Sequence, residues 1–303
     1  MKKHIKHFFL LTAIAIVFTT CETMAAITDV GAQLAGGIGL IDHNLASAIS
    51  QSAQAIGAAA EEIEPEQEYY IGRAVGANIL STYRIYNGNP GLTAYLNRIC
   101  GSITVNSPKP FLYKGYYVNI LDTDEINAFA TPGGHIFITR GLIALADSED
   151  ALAGVIAHEI AHIQLQHGIK SIRNSRWTQA WTTTATSALG ITTGINLNEL
   201  LGIFDVSIDE IVTTMVSNGY SREQEMEADA TALSLMAGAG YDPQGLLTML
   251  RAMERASNYS GRGFGRTHPA PAQRISNAER SINQYRVADT RQYRQARYAA
   301  VVR

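Results

Sequence analysis

The sequence predicts an α+β fold that is mainly helical and has a small β-sheet next to a helix rich in histidine. Apolar residues at helical spacing run through most of the chain, on both sides of its middle. Two β-branched and aromatic runs in the middle, Tyr116–Leu121 and His135–Thr139, are bounded by turn residues and predict strands. The stretch from Gly154 to Gly168, GVIAHEIAHIQLQHG, places three histidines and a glutamate in an otherwise mostly apolar helix.

The composition is that of an ordinary globular protein. The chain has 303 residues, 46% of them hydrophobic, and a net charge of -3, which allows a sizeable core. This near-neutral balance argues against nucleic-acid binding, which needs a strongly basic face. The exception is the segment 286–303, where five arginines accompany one aspartate. We expect a solvated helix or a loose basic tail there.

The segment 1–25 has the pattern of an export signal. A basic start precedes an apolar run from Phe8 to Phe18, which is shorter than the roughly 20 residues of a membrane span. Small residues before Ala26 predict cleavage at that point. Cys21 offers a second form of export, as the lipidated cysteine at which a lipoprotein signal ends. In both forms Cys100 has no intrachain disulfide partner, so the core or a metal must stabilise the protein.

The rest of the chain divides into three segments. Residues 26–62 are rich in Gly and Ala, residues 63–285 are the predicted domain, and residues 286–303 are the basic tail. The turn TPGG before the second strand predicts a hairpin. Apolar spacing and cap residues predict helices from about Pro65, over Leu92–Cys100, from Asp147 or Ser148 through the histidine motif, and over Tyr220–Ala237.

The histidine-rich stretch contains the pattern H-E-x-x-H at His158, Glu159 and His162. Residues four apart lie on one face of a helix, so both imidazoles can bind a single Zn²⁺. The glutamate lies about 100° around the helix axis, where it can reach the attacking water without competing for the metal. Because the neighbouring residues are apolar, two surface histidines flanking a solvated glutamate would be out of place. We therefore expect a zinc site.

His167 follows the motif but does not extend it. It lies nine positions after His158, near the opposite side of a continuous helix. The longer motif with a third histidine needs a glycine midway, at position 165, and that position is Leu165. We expect His167 to be a surface or capping residue.

A catalytic zinc needs three protein ligands and one open position. The later segment YSREQEMEADATAL offers four acidic residues for the missing ligand. Glu225 and Asp229 are four apart and share a helical face, whereas Glu223 and Glu227 point elsewhere. One carboxylate of the first pair can bind the metal while the other orients a ligand histidine through its ring N–H.

HEIAH followed by SREQEMEAD resembles the HtpX / CAAX prenyl protease family of zinc metalloendopeptidases. The most similar branch is the soluble periplasmic one, represented by BepA and LoiP. The similarity also covers IGRAVGANILSTYRIY, LTAYLNRI, INAFATPGGHIFITRGLI and THPAPAQRI, and it spans about Glu66 to Ala278. The resemblance implies a zincin-type metalloprotease domain with one Zn²⁺ per chain. It assigns the ligands and the catalytic residues as follows: His158, His162 and Glu225 bind the metal, Glu159 is the general base, and Asp229 supports the histidine geometry.

The motif THPAPAQRI adds a regulatory alternative. In relatives of the BepA type the equivalent histidine can occupy the open zinc position and hold the enzyme shut, and His268 matches it. A histidine before Pro269 can equally be a turn residue, because a residue before proline favours extended or turn geometry.

These observations predict an exported metalloendopeptidase that cleaves unfolded or misassembled envelope proteins. The strand His135–Thr139 is the expected substrate platform, to whose edge an extended peptide would add, and Tyr220 or Arg222 is a candidate for oxyanion stabilisation. Partners would be the substrates and the outer-membrane assembly machinery, with membrane contact only through a lipid anchor at Cys21. The alternative is a chaperone-like binding module at the outer membrane with a closed, mainly structural zinc site.

Overall fold

The computed structural model describes residues 63–170, 212–213, 219–256, 264–268 and 271–302. The predicted export signal with Cys21 and the Gly/Ala-rich segment 26–62 lie outside these residues. Within them, no helix is both long and apolar enough to cross a membrane.

The described residues form a mainly helical α+β fold, as predicted. The strands are β1 (Tyr117–Leu121), β2 (Ala128–Ala130) and β3 (His135–Thr139), and a 3-10 turn covers Pro132–Gly134. The helices are α1 (Pro65–Thr82), α2 (Pro90–Val105), α3 (Arg140–Leu145), α4 (Glu149–Gln164), α5 (Arg222–Gly238), α6 (Gln244–Ala256), α7 (Phe264–Thr267), α8 (Pro271–Ile282) and α9 (Arg291–Val302).

Side-chain caps fix the starts of the two helices that carry the sequence motifs. The Ser148 hydroxyl accepts a hydrogen bond from the backbone N–H of Ala151 at the start of α4. Ser221 and Gln224 form a reciprocal capping box at the start of α5. Such caps satisfy backbone donors that have no partner within the helix. The first residues of α4 and α5 are therefore set by local sequence.

The three strands form one mixed sheet in the order β1-β3-β2. β1 pairs with β3 in parallel, and β2 pairs with β3 antiparallel across the TPGG turn. The predicted hairpin is confirmed, but the predicted substrate platform is wrong. Because β3 lies between β1 and β2, it has no edge to which a peptide could add. The edge strand that packs against α4 is β2.

Helix α4 is the centre of the core, since every residue from Glu149 to Gln164 is buried. Helices α2, α5 and α6 and strand β2 pack around it. Helix α6 approaches α4 closely because both helices have glycine at the crossing. A Cβ on Gly154 would lie 2.7 Å from the Cα of Leu246, and a Cβ on Gly245 would lie 2.2 Å from the carbonyl oxygen of Asp150.

The basic C-terminal segment is a packed helix rather than a solvated one or a loose tail. In α9, Arg294 and Tyr298 are buried. Arg294 pairs with Asp150 at 2.8 Å, and the Tyr298 hydroxyl donates to the carbonyl oxygen of Ala146. The prediction relied on the charge of the whole segment. It therefore missed that these two residues, four apart, lie on one buried face of the helix.

Candidate metal centre

Helix α4 presents His158 and His162 on one face, as their spacing predicts. Each side chain is 1% exposed. Their Nε2 atoms lie 3.1 Å apart. Both imidazoles therefore direct their Nε2 atoms towards one point inside the protein.

Helices α5 and α7 bring two further donors to that point. From α5, the Glu225 carboxylate lies 3.4 Å from Nε2 of His162 and 3.5 Å from Nε2 of His158. His268, directly after α7, places Nδ1 3.3 Å from Nε2 of His158 and 3.0 Å from the Glu225 carboxylate. The ligand atoms of all four residues lie within 4.8 Å of one another. We call these four residues the donor cluster.

The donor cluster fits a zinc ion. Zinc takes four ligands in a tetrahedron, with bonds of about 2.0–2.1 Å to histidine nitrogen and carboxylate oxygen, which puts neighbouring ligand atoms about 3.3 Å apart. With Oε1 as the ligand atom of Glu225, four of the separations above, from 3.0 to 3.4 Å, agree with this value. Three imidazoles and one carboxylate are also donor types that zinc prefers.

Glu159 lies beside the donor cluster but outside it. It is fully buried, and neither carboxylate oxygen has a hydrogen-bond partner among the described residues. The Nε2 atom of His268 lies 3.7 Å from one oxygen of Glu159. Burial raises the pKa of Glu159 above its usual value, because the charged form loses its hydration. A buried carboxylate without a hydrogen-bond partner lowers the stability of the fold. Its presence here indicates that Glu159 interacts with a bound group.

Asp229 supports His158 from the far side of the ring. Its Oδ1 lies 3.0 Å from Nδ1 of His158, the nitrogen that faces away from the donor cluster. Arg274, from α8, donates to both oxygens of Asp229, at 2.7 and 2.8 Å, and its Nη1 lies 2.7 Å from the Glu225 carboxylate. Arg274 lies within the motif THPAPAQRI but was not a predicted site residue. Nothing in local spacing relates α8 to α5.

Contacts with Arg274 and with histidines determine the charge state of both carboxylates. Burial alone would raise their pKa values, but His268 and Arg274 hold the pKa of Glu225 well below its usual range. In the same way, against the effect of burial, Arg274 and then His158 lower the pKa of Asp229 to about 2. Both groups are therefore ionised at neutral pH, the state in which a carboxylate binds a metal or orients a histidine.

The same region matches a known family. The family model described as Peptidase family M48 matches residues 90–282, which include the whole donor cluster. The chain belongs to peptidase family M48. The resemblance inferred from the sequence motifs is thereby confirmed.

Several relatives of this M48 chain have names that describe proteolysis. The β-barrel assembly-enhancing protease of Escherichia coli strain K12 is 27% identical over 221 residues, which are 72% of this chain and 43% of the relative. Metalloprotease LoiP of the same strain is 26% identical over 269 residues, 86% of this chain and 90% of the relative. The mitochondrial metalloendopeptidase OMA1 of Schizosaccharomyces pombe is 29% identical over 189 residues, 62% and 52% of the two chains. The chain thus spans about half the length of the first curated relatives it matches.

His167 of this M48 chain is not the surface residue that helical spacing predicts. Helix α4 ends at Gln164, and Gln166 adopts a left-handed conformation with a φ of 56°. The helix is therefore interrupted after α4, and the residues that follow do not continue its periodicity. His167 is fully buried, and its Nδ1 lies 2.8 Å from Nδ1 of His162. Local periodicity could not reveal this contact because it assumes an uninterrupted helix.

Tyr220 and Arg222 differ in their surroundings. Arg222 is exposed at the first position of α5, away from the donor cluster. Tyr220 is buried, and its ring stacks on His162 at a centroid distance of 4.1 Å. Its hydroxyl has no hydrogen-bond partner among the described residues, and burial raises its pKa. Of the two oxyanion candidates, only Tyr220 lies at the M48 site.

Proposed function

We propose that the chain is a zinc-dependent metalloendopeptidase of the bacterial cell envelope, which hydrolyses peptide bonds in unfolded or misassembled proteins. The observation that carries the proposal is a buried donor cluster with a proton acceptor next to it. A structural zinc site has no use for a buried carboxylate without a hydrogen-bond partner, such as Glu159. A hydrolytic site needs such a group as its general base.

Each residue of the site then has a role. His158, His162 and Glu225 would hold the zinc, which supplies a Lewis acid that polarises the scissile carbonyl and acidifies the attacking water. Glu159 accepts the proton of that water and passes it to the leaving amine. Asp229, held by Arg274, keeps His158 in the tautomer whose Nε2 faces the metal. These roles belong to the proposed domain 63–285.

The edge of β2 is the proposed place for the substrate backbone. In the antiparallel pair with β3, the backbone groups of Ala128 and Ala130 point away from β3, because Thr131 and Asn127 bond to the partner strand. The N–H of Ala128 donates to the side-chain oxygen of Asn127, and all three residues of β2 are buried. A peptide would therefore have to displace that contact and uncover the strand. An extended peptide that adds there would lie beside α4. Binding through backbone groups depends little on sequence, which suits unfolded or misassembled substrates.

Replacement of Glu159 tests the chemistry. We expect Glu159→Gln to retain one zinc per chain and to lose at least about 100-fold of the peptidase activity, the usual contribution of general acid–base catalysis. Metal analysis and cleavage of an unfolded protein such as casein measure the two properties. Glu223→Gln, an exposed change on α5, is the control and should remain active. Full activity of Glu159→Gln would remove the proposed base.

His268 supports a second proposal, that the enzyme is latent. Its imidazole supplies a fourth donor at the place that a catalytic zinc leaves open for water or substrate. Backbone hydrogen bonds hold α7 in position, from Phe264 to the carbonyl oxygen of Ile126 and from Tyr220 to that of Thr267. Activation would therefore require the segment Phe264–His268 to move away from the start of β2.

The same four-donor arrangement favours the second candidate function, a chaperone-like binding module at the outer membrane with a closed zinc site. Four protein ligands are typical of structural zinc. The His268→Ala variant separates the two functions, in a casein assay beside the wild type. A gain of activity in His268→Ala supports latency. If neither protein cleaves casein and both bind it, the binding module is the better description.

The relatives' names support the proposed location and partners. Two of the proteins described above are called a β-barrel assembly-enhancing protease and a metalloprotease. For this chain we infer export to the periplasm, unfolded envelope proteins as substrates and the outer-membrane assembly machinery as a partner. Anchoring through Cys21 would place the protein at the outer membrane as a lipoprotein. Mass spectrometry of the mature N-terminus distinguishes a lipidated Cys21 from cleavage before Ala26.

A further inference from the structure

His167 and Glu227 connect the donor cluster to the protein surface. His167 Nδ1 lies 2.8 Å from Nδ1 of His162, and His167 Nε2 lies 3.2 Å from a carboxylate oxygen of Glu227 on α5. His162 and His167 are buried, whereas the side chain of Glu227 is 50% exposed. Lys170 lies 3.9 Å from the same carboxylate oxygen. The contacts thus form a path from Nδ1 of His162, through His167, to the solvent-exposed carboxylate of Glu227.

The proton positions along this path follow from hydrogen-bond chemistry. A neutral imidazole has one N–H and one acceptor nitrogen. If Nε2 of His162 faces a metal, its proton lies on Nδ1, which then donates to Nδ1 of His167. His167 must therefore carry its own proton on Nε2, where it donates to the Glu227 carboxylate. With Nε2 of His162 free to bind a metal, only this pair of tautomers allows both hydrogen bonds, from His162 to His167 and from His167 to Glu227.

The other metal-facing histidine has a different support. Nδ1 of His158 faces Asp229 directly, and Asp229 is buried and held by Arg274. His162 has no carboxylate at its Nδ1 among the contacts described, and His167 takes that position instead. A metal-binding histidine usually donates its second N–H to a carboxylate or carbonyl group, which fixes the ring and makes the nitrogen a better ligand. His167 and Glu227 together offer His162 the same effect over a longer path.

We propose that His167 is a positioning residue for the metal, which locks the tautomer and the ring orientation of His162 and is itself oriented by Glu227. The inference rests on the proposed function, since it requires that His162 binds zinc. The left-handed Gln166 makes the contact between the two histidines possible. It interrupts the helix after α4, and Nδ1 of His167 then lies next to Nδ1 of His162. His167 does not touch the substrate or the reacting atoms in this proposal.

The test measures zinc affinity in the purified full chain by competition with a chromophoric chelator. His167→Phe keeps a ring of similar size but removes the acceptor, so we expect zinc to bind about 10- to 100-fold more weakly. In His167→Asn, the amide oxygen can take the place of Nδ1, and most of the affinity should return. We expect Glu227→Gln to weaken zinc binding less than His167→Phe does. Glu223→Gln, an exposed change on the same helix, should leave it unchanged.

A second measurement reads the tautomers directly. Long-range ¹H–¹⁵N spectra of the zinc-loaded wild type should show His162 protonated at Nδ1 and His167 protonated at Nε2. The opposite tautomer of His167 would overturn the inference, and so would wild-type zinc affinity in His167→Phe. If His167→Phe does not fold, Glu227→Ala decides the matter, because Glu227 is half-exposed and this change removes the acceptor at Nε2 of His167. Wild-type zinc affinity in Glu227→Ala contradicts the relay.

The two proposals can fail separately. If the wild type binds zinc and cleaves protein while His167→Phe binds zinc equally well, only the positioning role fails. If the wild type takes up no zinc, the proposed function fails and the role of His167 fails with it. If the wild type binds zinc with the predicted tautomers but does not hydrolyse protein, the positioning role stands for a structural metal.

Discussion

Individual residues around the donor cluster are held by opposite charges that lie deep in the protein. Arg274 is 1% exposed and contacts both Glu225 and Asp229. Such buried pairs need excellent geometry to offset the loss of hydration, and removing one partner leaves an uncompensated charge. The bidentate contact of Arg274 with Asp229 meets that need, so each of these residues depends on the others.

We expect Asp229→Asn to lower the free energy of unfolding of the metal-free protein by about 3 kcal/mol at pH 7, because buried Arg274 loses its bidentate partner. The pKa of Asp229 is about 2 in the folded protein, below its ordinary 3.8. Its ionised form therefore contributes stability above the ordinary value, and this contribution is lost as the pH falls towards about 2. Urea unfolding at several pH values measures the difference.

Asp147→Asn is the control for that experiment, because Asp147 is exposed just before α4. A surface change of this kind should alter the free energy of unfolding by less than about 0.5 kcal/mol. A penalty for Asp229→Asn that stays constant down to the lowest pH would contradict the assigned pKa.

Spacing within one helix predicted part of the site, and contacts between helices account for the rest. The positions of His158, His162, Glu225 and Asp229 on their helix faces follow from residues four apart. Helical periodicity misplaced His167 because the helix ends two residues before the left-handed Gln166. Arg274 could not be found by spacing, since its partners lie on other helices.

At the scale of elements, the crossing of α4 and α6 depends on two glycines. Gly154 lies one helical turn before His158, so the crossing helps to fix where the face of α4 that carries His158 and His162 points. Any side chain at Gly154 would collide with the backbone of α6, which cannot move as a flexible side chain could. The helix therefore needs glycine there in spite of its poor helix propensity.

We expect Gly154→Ala to destabilise the protein by about 1–3 kcal/mol, the usual cost of overpacking a core. Gly101→Ala in α2 is the matched control, because a Cβ there would meet no atom within 4 Å. That change should be neutral or stabilise the protein by up to about 1 kcal/mol, as alanine is the better helix former. Denaturant unfolding measures both. Equal effects of the two changes would contradict the close approach.

Strand order is the part of the fold that local sequence could not supply. The runs that form β1 and β3 are recognisable by composition, and the TPGG turn pairs β2 with β3. The position of β1 on the other side of β3 results from a parallel pairing of strands that are not consecutive in the chain. That pairing removes the free edge of β3 and leaves β2 beside α4.

At the scale of the whole molecule, the donor cluster joins helices that are far apart in the chain. His158 and His268 are 110 residues apart, and Glu225 and His268 are 43 apart. A metal that binds only the folded arrangement stabilises it by mass action, by about 2.7 kcal/mol when the free ion exceeds its Kd by 100-fold. Metal binding and folding are therefore coupled in the proposed enzyme.

We expect such an excess of zinc to raise the Tm of the wild type by about 5–10 °C, and removal by a chelator to reverse the shift. His158→Ala should show no shift, because it lacks a donor. His135→Ala, which changes a half-buried histidine on β3 outside the donor cluster, should retain it. Thermal unfolding followed by circular dichroism measures each case. A full shift in His158→Ala would exclude the assigned site.

The ion pairs of α9 have a practical meaning for anyone who wishes to crystallise this protein. The family match ends at residue 282, before α9 begins at Arg291. A protein shortened at that boundary would lose Arg294 and Arg297, which pair with Asp150 and Glu149 in the first turn of α4. Two buried carboxylates in the first turn of α4 would then each lose an arginine partner. The smallest unit worth expressing therefore extends beyond its family signature, to Val302.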